Sequence, residues 1–244
     1  MKIPLFVVAL ILVLSPMLTM AHDVEVDPTK VGVTDGQQIQ FVLDKYDNSQ
    51  GKTTFQLPGV NNSLEVKSGT QFTLEIVNHT ATYDNKTSQY WMSAKITIGD
   101  STQSIALYFD EYSLVNFIDW APYNASLDEE FQGSKAYYEG RGGKYSYNIW
   151  EKNNEFGFTF KLSLTQNDVT TTREGVTVFN YETGVLKYYS NSYMVKQGSN
   201  TTSENIVLRN PDYNYSTKSS SPVSIWYIFP IFAIPIIRRK LFRK

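Results

Sequence analysis

A strict alternation of apolar and polar residues in the middle of the chain predicts a β-strand. From Phe156 to Leu164, five apolar side chains alternate with Gly157, Thr159, Lys161 and Ser163 without exception. Because successive side chains of a strand point to opposite faces of the sheet, one face of this strand is expected to be buried and the other to meet water. Four shorter stretches show the same alternation in their apolar residues: Ile39, Phe41 and Leu43; Phe72, Leu74 and Ile76; Met92, Ala94, Ile96 and Ile98; and Tyr145, Tyr147 and Ile149.

A β-hairpin is predicted after the Phe156 strand. Residues 176–181 and 185–189 are rich in β-branched and aromatic residues, and they flank the short turn Glu182-Thr183-Gly184. The polar stretch 166–174 is interpreted as the connection into this hairpin, and the polar run 197–205 as a loop. Three strands in sequence form a meander, so antiparallel pairing is expected.

Helical signals are few. Ser126 is followed three residues later by Glu129, which is the pattern of a capping box, and Gly140 is placed to end the helix. Residues 107–118 fit either a second helix or a strand. The predicted fold class is therefore α+β and β-dominated, with one or two short helices and an antiparallel sheet that could be strongly curved, followed by a C-terminal membrane segment.

The N-terminus has the three parts of a secretory signal peptide. Lys2 precedes an apolar run over residues 3–14, and a small-residue exit ends at Ala21, where cleavage is predicted. A permanent membrane helix is the alternative. It would need roughly 20 apolar residues, and Pro16 interrupts the run too early.

The C-terminus predicts attachment to a membrane. Residues 222–237 carry no charge, and five basic residues follow them, which is the arrangement that keeps such a tail on the cytoplasmic side. The segment is shorter than the roughly 17–25 residues of a usual span. A retained span and a sorting signal replaced by a lipid both fit. The basic tail cluster consists of Arg238, Arg239, Lys240, Arg243 and Lys244.

These ends divide the chain into five parts. The predicted parts are a signal peptide (1–21), an extracellular β-rich domain (22–209), a polar stalk (210–221), the hydrophobic membrane segment (222–237) and a basic cytoplasmic tail (238–244). The predicted location is the cell surface, with the chain anchored in the cytoplasmic membrane and the main domain outside. Membrane lipid is the expected partner of the C-terminal segment.

The part between the two ends is acidic and free of cysteine. It carries 16 basic and 24 acidic residues, a formal charge of −8, which disfavours nucleic acid as a partner. Without disulfides it must be held together by its core. Six N-x-S/T sequons are candidate sites of N-glycosylation: Asn61, Asn78, Asn85, Asn124, Asn200 and Asn214.

Residues for catalysis are scarce. His22 and His79 are the only histidines, so a metal site built on Cys or on paired His is not expected. The carboxylates of Asp110, Glu111, Asp119 and residues 128–130 lie close in sequence, and a glycosidase would need two of them to face each other across a cleft. A solvated helix start explains residues 128–130 more simply. The sequence therefore predicts a non-enzyme with no cofactor and no catalytic or metal-binding residue.

Two short segments and the ends carry a resemblance to a known family. Residues 172–176 (Thr-Arg-Glu-Gly-Val), residues 181–186 (Tyr-Glu-Thr-Gly-Val-Leu) and the basic C-terminus resemble the S family of choice-of-anchor surface proteins from Asgard archaea. The resemblance implies a surface protein with an interchangeable anchor and no established activity. The tail lacks the Pro-Gly-Phe triplet of one archaeal sorting signal.

The same hairpin is similar to bacterial lipoprotein carriers of the LolA kind, and this similarity implies a curved sheet that cups a lipid. The expected function is that of a membrane-anchored surface protein that binds a partner, such as another surface protein, or forms part of the envelope. The first alternative is a carrier or sensor for an apolar ligand in a sheet cavity. The second is a glycan-acting hydrolase.

A short pattern occurs twice near the start of the predicted domain. Val33 and Gly36 recur as Val66 and Gly69, and each pair precedes an alternating strand. Many β-domains open their strands in this way, so the pattern alone does not predict a repeat.

Overall fold

The computed structural model of the chain describes residues 27, 30–57, 59–60, 64–85, 89–109 and 112–215. These ranges contain eleven strands and one helix, which is much longer than the short helices expected. Their bounds are β1 (Gln38–Asn48), β2 (Phe55–Gln56), β3 (Glu65–Val66), β4 (Gln71–Asp84), β5 (Gln89–Ile98), β6 (Ser101–Tyr108), α1 (Trp120–Glu139), β7 (Lys144–Lys152), β8 (Glu155–Gln166), β9 (Val169–Asn180), β10 (Leu186–Gln197) and β11 (Asn200–Arg209). The β-dominated α+β class is confirmed.

Nine of these strands form one antiparallel sheet. The order across the sheet is β6-β5-β4-β1-β11-β10-β9-β8-β7, and β2 and β3 form a separate two-stranded hairpin. Strand β1 pairs with both β4 and β11, so it joins the early strands to the late meander. The sheet is neither closed nor strongly curled, so the expectation of a strongly curved sheet is wrong. Helix α1 lies against β7 and β8 on one face, so the apolar side chains of these strands are buried without the sheet rolling up.

The meander of the predicted strand and hairpin is confirmed, but its strands are longer than the sequence indicates. Strands β8 and β9 are joined by Asn167 and Asp168 alone, both with positive φ, and β10 and β11 by Gly198 and Ser199. Residues 166–174 and 197–205 are therefore mainly strand, and the connection and loop predicted there are wrong. A strand with one face in water accommodates the Thr, Ser and Asn residues of these stretches.

Helix α1 begins earlier than the capping-box pattern predicts. It starts at Trp120, six residues before Ser126, and its N-cap residue Asp119 makes no side-chain capping hydrogen bond. Trp120 is buried and stacks on Phe156 with a centroid distance of 4.5 Å, so packing on the sheet favours the earlier start. The predicted end at Gly140 is confirmed.

The segment 107–118, left open between helix and strand, is mostly neither. Leu107 and Tyr108 end β6, and beyond them the described residues form an irregular segment with one isolated bridge from Val115 to Val185. This segment packs through Phe109 and Phe117, whose rings stack 3.9 Å apart. Aromatic packing therefore orders it without regular secondary structure.

The two faces of the sheet differ in composition. The core face lies under α1, where Phe131 contacts Phe158 and Phe160 at centroid distances of 5.6 and 6.3 Å. The alternate residues of the same strands, such as Lys161 and Ser163, form the opposite face, here called the open face. The many aromatic residues of the chain thus serve largely as core packing.

The chain leaves the sheet through a clamp at the end of β11. Arg209 forms an ion pair with Asp44, and its Nη1 donates to the carbonyl oxygens of Asn210 (3.3 Å), Pro211 (2.5 Å) and Tyr213 (3.3 Å). The first residues of the predicted stalk therefore lie against the domain, and Tyr213 is the last residue of its compact unit.

The predicted membrane-associated parts lie outside the described residues. These are the signal peptide (1–21), the hydrophobic segment (222–237) and the basic tail (238–244). Among the residues that the structure does describe, no helix has the length and apolar character needed to cross a membrane.

Candidate functional site

The carboxylates considered for catalysis are engaged separately. Asp119 forms an ion pair with Lys30 at 3.0 Å, and Asp128 accepts a hydrogen bond from the Tyr147 hydroxyl at 2.8 Å. Asp110 and Glu111 lie outside the described residues. In the described part of the chain, no three His, Cys, Asp or Glu side chains are grouped so that they could hold a metal ion.

The described histidine has a local structural role. Asp35 accepts hydrogen bonds from the backbone N–H of His79 and from its Nδ1, both at 2.8 Å. The side-chain hydrogen bond lowers the pKa of the Asp35 carboxyl. Both side chains are about half exposed, and they tie the start of β1 to β4. His22 lies outside the described residues.

Most of the described sequons are accessible. The exposed asparagines are Asn78, Asn85, Asn200 and Asn214. Asn124 is half-buried in α1, and its amide nitrogen, the atom to which a glycan would be attached, lies 3.5 Å from Glu151. Asn61 lies outside the described residues. Exposure thus favours four of the six predicted sites.

On the open face, strands β7–β10 carry many small hydroxyl side chains, with charged side chains among them. Antiparallel register places two rows across the four strands. In strand order they are Ser146, Lys161, Glu174 and Ser192, and Lys144, Ser163, Thr172 and Met194.

A cavity of about 620 Å³ lies along these rows, and most of its lining residues are open-face side chains; it is called the trough below. It is lined by Glu139, Lys144, Tyr145, Ser146, Lys161, Leu162, Ser163, Thr172, Arg173, Glu174 and Ser192. Lys161 and Glu174 form an ion pair across it at 2.9 Å, and both remain more than half exposed. An exposed pair of this kind contributes little to stability, so its groups can exchange partners with a ligand.

An aromatic side chain lies on the same face as the trough. Trp150 is half-buried with its indole over Gly157, where an added Cβ would come within 2.3 Å of the ring. The next residue in register is Val178, which is fully buried although it lies on the open face. Glycine at position 157 is therefore required for the indole to lie on the sheet.

On the core face, a polar row crosses the strands beneath the trough. Arg173, Tyr193, Glu204 and Asn48 are consecutive partners in register across β9, β10, β11 and β1. The Glu204 carboxylate accepts hydrogen bonds from Asn48 Nδ2 at 2.9 Å and from the Tyr46 hydroxyl at 3.2 Å. This polar row therefore borders the aromatic core.

Arg173 is half-buried among rings. Its Nε donates to Asn191 Oδ1 at 3.1 Å, and its guanidinium carbon lies 5.3 Å from the centre of the Phe160 ring. Burial raises the pKa of three nearby tyrosine hydroxyls, and the positive charge of Arg173 opposes the rise; they are Tyr138, Tyr145 and Tyr193. Burial therefore keeps these phenols neutral to higher pH than an exposed tyrosine.

A second cavity lies at the other end of the sheet. It has a volume of about 530 Å³ and lies between the start of β1 and residues 210–213, with Gln38, Gln40, Lys187 and Tyr213 in its wall. Lys187 is already paired with Glu155 at 2.9 Å and lies 4.8 Å from the Tyr213 ring. This cavity therefore lies where the chain leaves the sheet.

No protein-family model, no curated protein and no solved structure matches this chain.

The sequence did not indicate the trough. The alternation predicts only that residues such as Lys161 and Ser163 face water. It gives no reason to single out Trp150, and Arg173 belongs to one of the segments that carry the family resemblance. The strand register could have revealed the trough, because the two-residue turns fix which residues of neighbouring strands are paired.

Proposed function

We propose that this protein is a membrane-anchored surface protein whose extracellular domain binds a partner on the open face of its sheet. The observation that carries the proposal is the position of the trough relative to the ends of the domain. A face held away from the membrane can meet a partner from outside the cell, whereas a face beside the anchor cannot.

Both ends of the domain lie beside the turn between β9 and β10. Gly32 packs against the backbone of Glu182 and Thr183, and the Tyr213 ring packs against Tyr188 at a centroid distance of 6.4 Å, tilted by 51°. The trough begins with Ser192 and extends toward the far ends of the strands. Six residues separate Tyr188 from Met194, which corresponds to about 20 Å along the strand.

Attachment itself is inferred from the sequence. The apolar segment 222–237 with its basic tail, the signal-like N-terminus and the resemblance to choice-of-anchor surface proteins all support it. The Arg209 clamp supports it as well, because it fixes the exit of the chain at the central strand of a nine-stranded sheet.

The apolar-carrier alternative has less support from the geometry. Its ligand would lie against the aromatic face, where Trp120 and Phe131 already pack on Phe156, Phe158 and Phe160. The open face has no such covering from any described helix, and its side chains along the trough are mainly polar. Binding at the open face is therefore the preferred function.

The anchor is tested by ending the chain at Ser221. We expect the full chain to fractionate with membranes and the shortened chain to be soluble, with an unchanged strand signal in circular dichroism. A full-length variant with all five tail residues 238, 239, 240, 243 and 244 changed to Asn is the control, because it keeps the apolar segment and loses only the orienting charge. Aggregation of the shortened chain would show that the tail belongs to the fold.

A further inference from the structure

We propose that the trough is a binding site for a neutral oligosaccharide. This inference deepens the proposed function by naming its ligand class, and it rests on that function only for the orientation of the face toward the outside. Three features of the described residues support it: the hydroxyl groups of the floor, the balance of charge in the walls, and the neighbouring indole.

The floor matches a ligand that is covered in hydroxyl groups. Ser146, Ser163, Thr172 and Ser192 each place a hydroxyl on the open face, and each hydroxyl can both donate and accept a hydrogen bond. A sugar hydroxyl can also donate and accept a hydrogen bond, so the hydroxyl groups of the ligand and of the floor can pair with one another. An apolar ligand would gain nothing from this floor and would cover polar groups without partners.

The charges of the walls favour a neutral ligand over a charged one. Of the five charged lining residues, Arg173 directs its guanidinium to the core face, where its Nε donates to Asn191. The other four are Lys144 and Lys161, which provide donors, and Glu139 and Glu174, which provide acceptors; together these four carry no net charge. Lys161 and Glu174 lie only 2.9 Å apart, so an anionic ligand that approached the lysine would also meet the carboxylate. Sugar hydroxyls can bridge such a pair, because they donate to the carboxylate and accept from the ammonium.

The indole of Trp150 provides an apolar platform beside these polar groups. It lies over Gly157, with Lys152 Nζ 5.9 Å from the centre of the ring, and it is on the same face and the same edge strand as Lys144 and Ser146. Four residues separate Ser146 from Trp150, which corresponds to about 13 Å along the strand. The C–H face of a pyranose ring can stack on an indole, so a chain of sugar units running along β7 would meet hydroxyl partners at one end and the ring at the other.

The size of the trough also agrees with that of a ligand-binding site. Its volume of about 620 Å³ falls within the roughly 300–1,000 Å³ typical of small-molecule sites. The trough is open along the strands, which suits a linear ligand longer than the cavity itself.

The test uses the full-length chain in a zwitterionic detergent without a sugar headgroup. Linear hexasaccharides of glucose, mannose, galactose and N-acetylglucosamine are titrated separately by calorimetry, and hexagalacturonate serves as the acidic comparator. We expect one-to-one binding of at least one neutral hexasaccharide and weaker binding of hexagalacturonate.

Two variants locate the site. Ser163→Tyr fills the floor and is expected to weaken binding about tenfold or more, and Trp150→Ala about fivefold or more. Ser104→Tyr is the matched control, because Ser104 is exposed on the same face near the other edge of the sheet and the change should leave affinity within about twofold. Circular dichroism checks that each variant is folded. If Trp150→Ala disturbs the fold, the affinity of Ser163→Tyr alone decides the test.

The proposal is overturned if no neutral hexasaccharide binds, if only the acidic one binds, or if Ser163→Tyr binds as tightly as the original chain. Purified protein is used throughout, so these outcomes do not depend on the anchor. Failure of membrane attachment in the fractionation experiment would be a separate result.

Discussion

Gly36 and Gly69 occupy equivalent positions about a local two-fold axis between β1 and β4. The backbone N–H of Gly36 donates to the carbonyl of Ile76, and that of Gly69 donates to the carbonyl of Leu43, both at 2.7 Å. The pairing of Gln40 with Thr73 lies at the centre of this arrangement. The valine–glycine pattern that recurs after 33 residues is thus a structural repeat within the pair β1–β4.

The same offset relates two side-chain contacts. Ser68 Oγ accepts the backbone N–H of Tyr46 at 2.6 Å, and Asp35 accepts the backbone N–H of His79 at 2.8 Å. In both cases a short polar side chain next to the turn glycine accepts a hydrogen bond from a backbone N–H of the paired strand. The two halves therefore use one local solution with different residues, Ser in one and Asp in the other.

The first prediction concerns these glycines. Gly36→Ala and Gly69→Ala should each lower the free energy of unfolding by about 1–2 kcal/mol, because φ is +76° and +81° and the cost of a Cβ there is conformational. Nothing lies within 4 Å of either added Cβ, so the two costs should be similar. Urea denaturation measures both.

Gly133→Ala is the matched control for these two variants. Gly133 lies inside α1 with nothing within 4 Å of an added Cβ, so alanine there should raise the free energy of unfolding by about 0.5–1 kcal/mol. If only one of the two glycine variants loses stability, the two turn positions do not contribute equally to the free energy of unfolding.

The second prediction is that Tyr193→Phe stabilises the domain. The Tyr193 hydroxyl is buried and has no hydrogen-bond partner among the described residues. A buried hydroxyl without a partner costs free energy, so its removal should raise the free energy of unfolding by about 1 kcal/mol. Thermal and urea unfolding both measure this change.

Tyr147→Phe provides the comparison, because the Tyr147 hydroxyl donates to Asp128 at 2.8 Å. Its removal should lower the free energy of unfolding by about 1 kcal/mol. If Tyr193→Phe is instead destabilising, the Tyr193 hydroxyl has a partner in solution, such as a bound water or ligand.

The third prediction concerns the packing of Phe160 on β9. The ring lies over Gly175, where an added Cβ would come within 2.4 Å of Cε1. Gly175→Ala should therefore cost about 1–3 kcal/mol through overpacking. Addition of Phe160→Leu should recover part of this loss, and a double-mutant cycle measures the coupling. Purely additive losses would show that the ring is free to move aside.

Strands with a clear apolar alternation could be predicted from the sequence, because burial on one face leaves a period of two. Residues 156–164 and the four shorter runs are strand throughout in the structure. The polar stretches 166–174 and 197–205 could not be recognised. Their strand state follows from pairing with neighbours, such as Thr172 with Ser163, and local composition does not show such pairing.

The start of the helix could not be predicted for a similar reason. The capping box at Ser126 is a local signal, whereas the observed start depends on the burial of Trp120 against Phe156, a residue 36 positions later. The trough is also non-local, because its lining comes from four strands and the last residue of α1 and becomes contiguous only through register. Net charge and motif searches do not report such a surface.

The fourth prediction concerns alkaline pH. Burial raises the pKa of five tyrosine hydroxyls: Tyr46, Tyr138, Tyr145, Tyr147 and Tyr193. The folded state thus holds these phenols neutral at pH values where the unfolded chain, with an ordinary pKa of 10.0, would ionise them. A raised folded-state pKa means that the corresponding stability is fully present below pH 10 and is lost as the pH rises above it. Acid should not affect this contribution.

We therefore expect the domain to keep its structure up to about pH 10 and then to unfold cooperatively, with tyrosinate absorbance rising together with the loss of strand signal. Tyr145→Phe should move the alkaline midpoint upward, because burial, followed by the charge of Glu130, disfavours its tyrosinate most directly. Tyr83→Phe is the matched control, because that side chain is 46% exposed and its removal should leave the midpoint unchanged. Gradual tyrosinate formation with the strand signal intact would mean that these hydroxyls reach water in the folded state, and it would contradict a core that is closed beneath the trough.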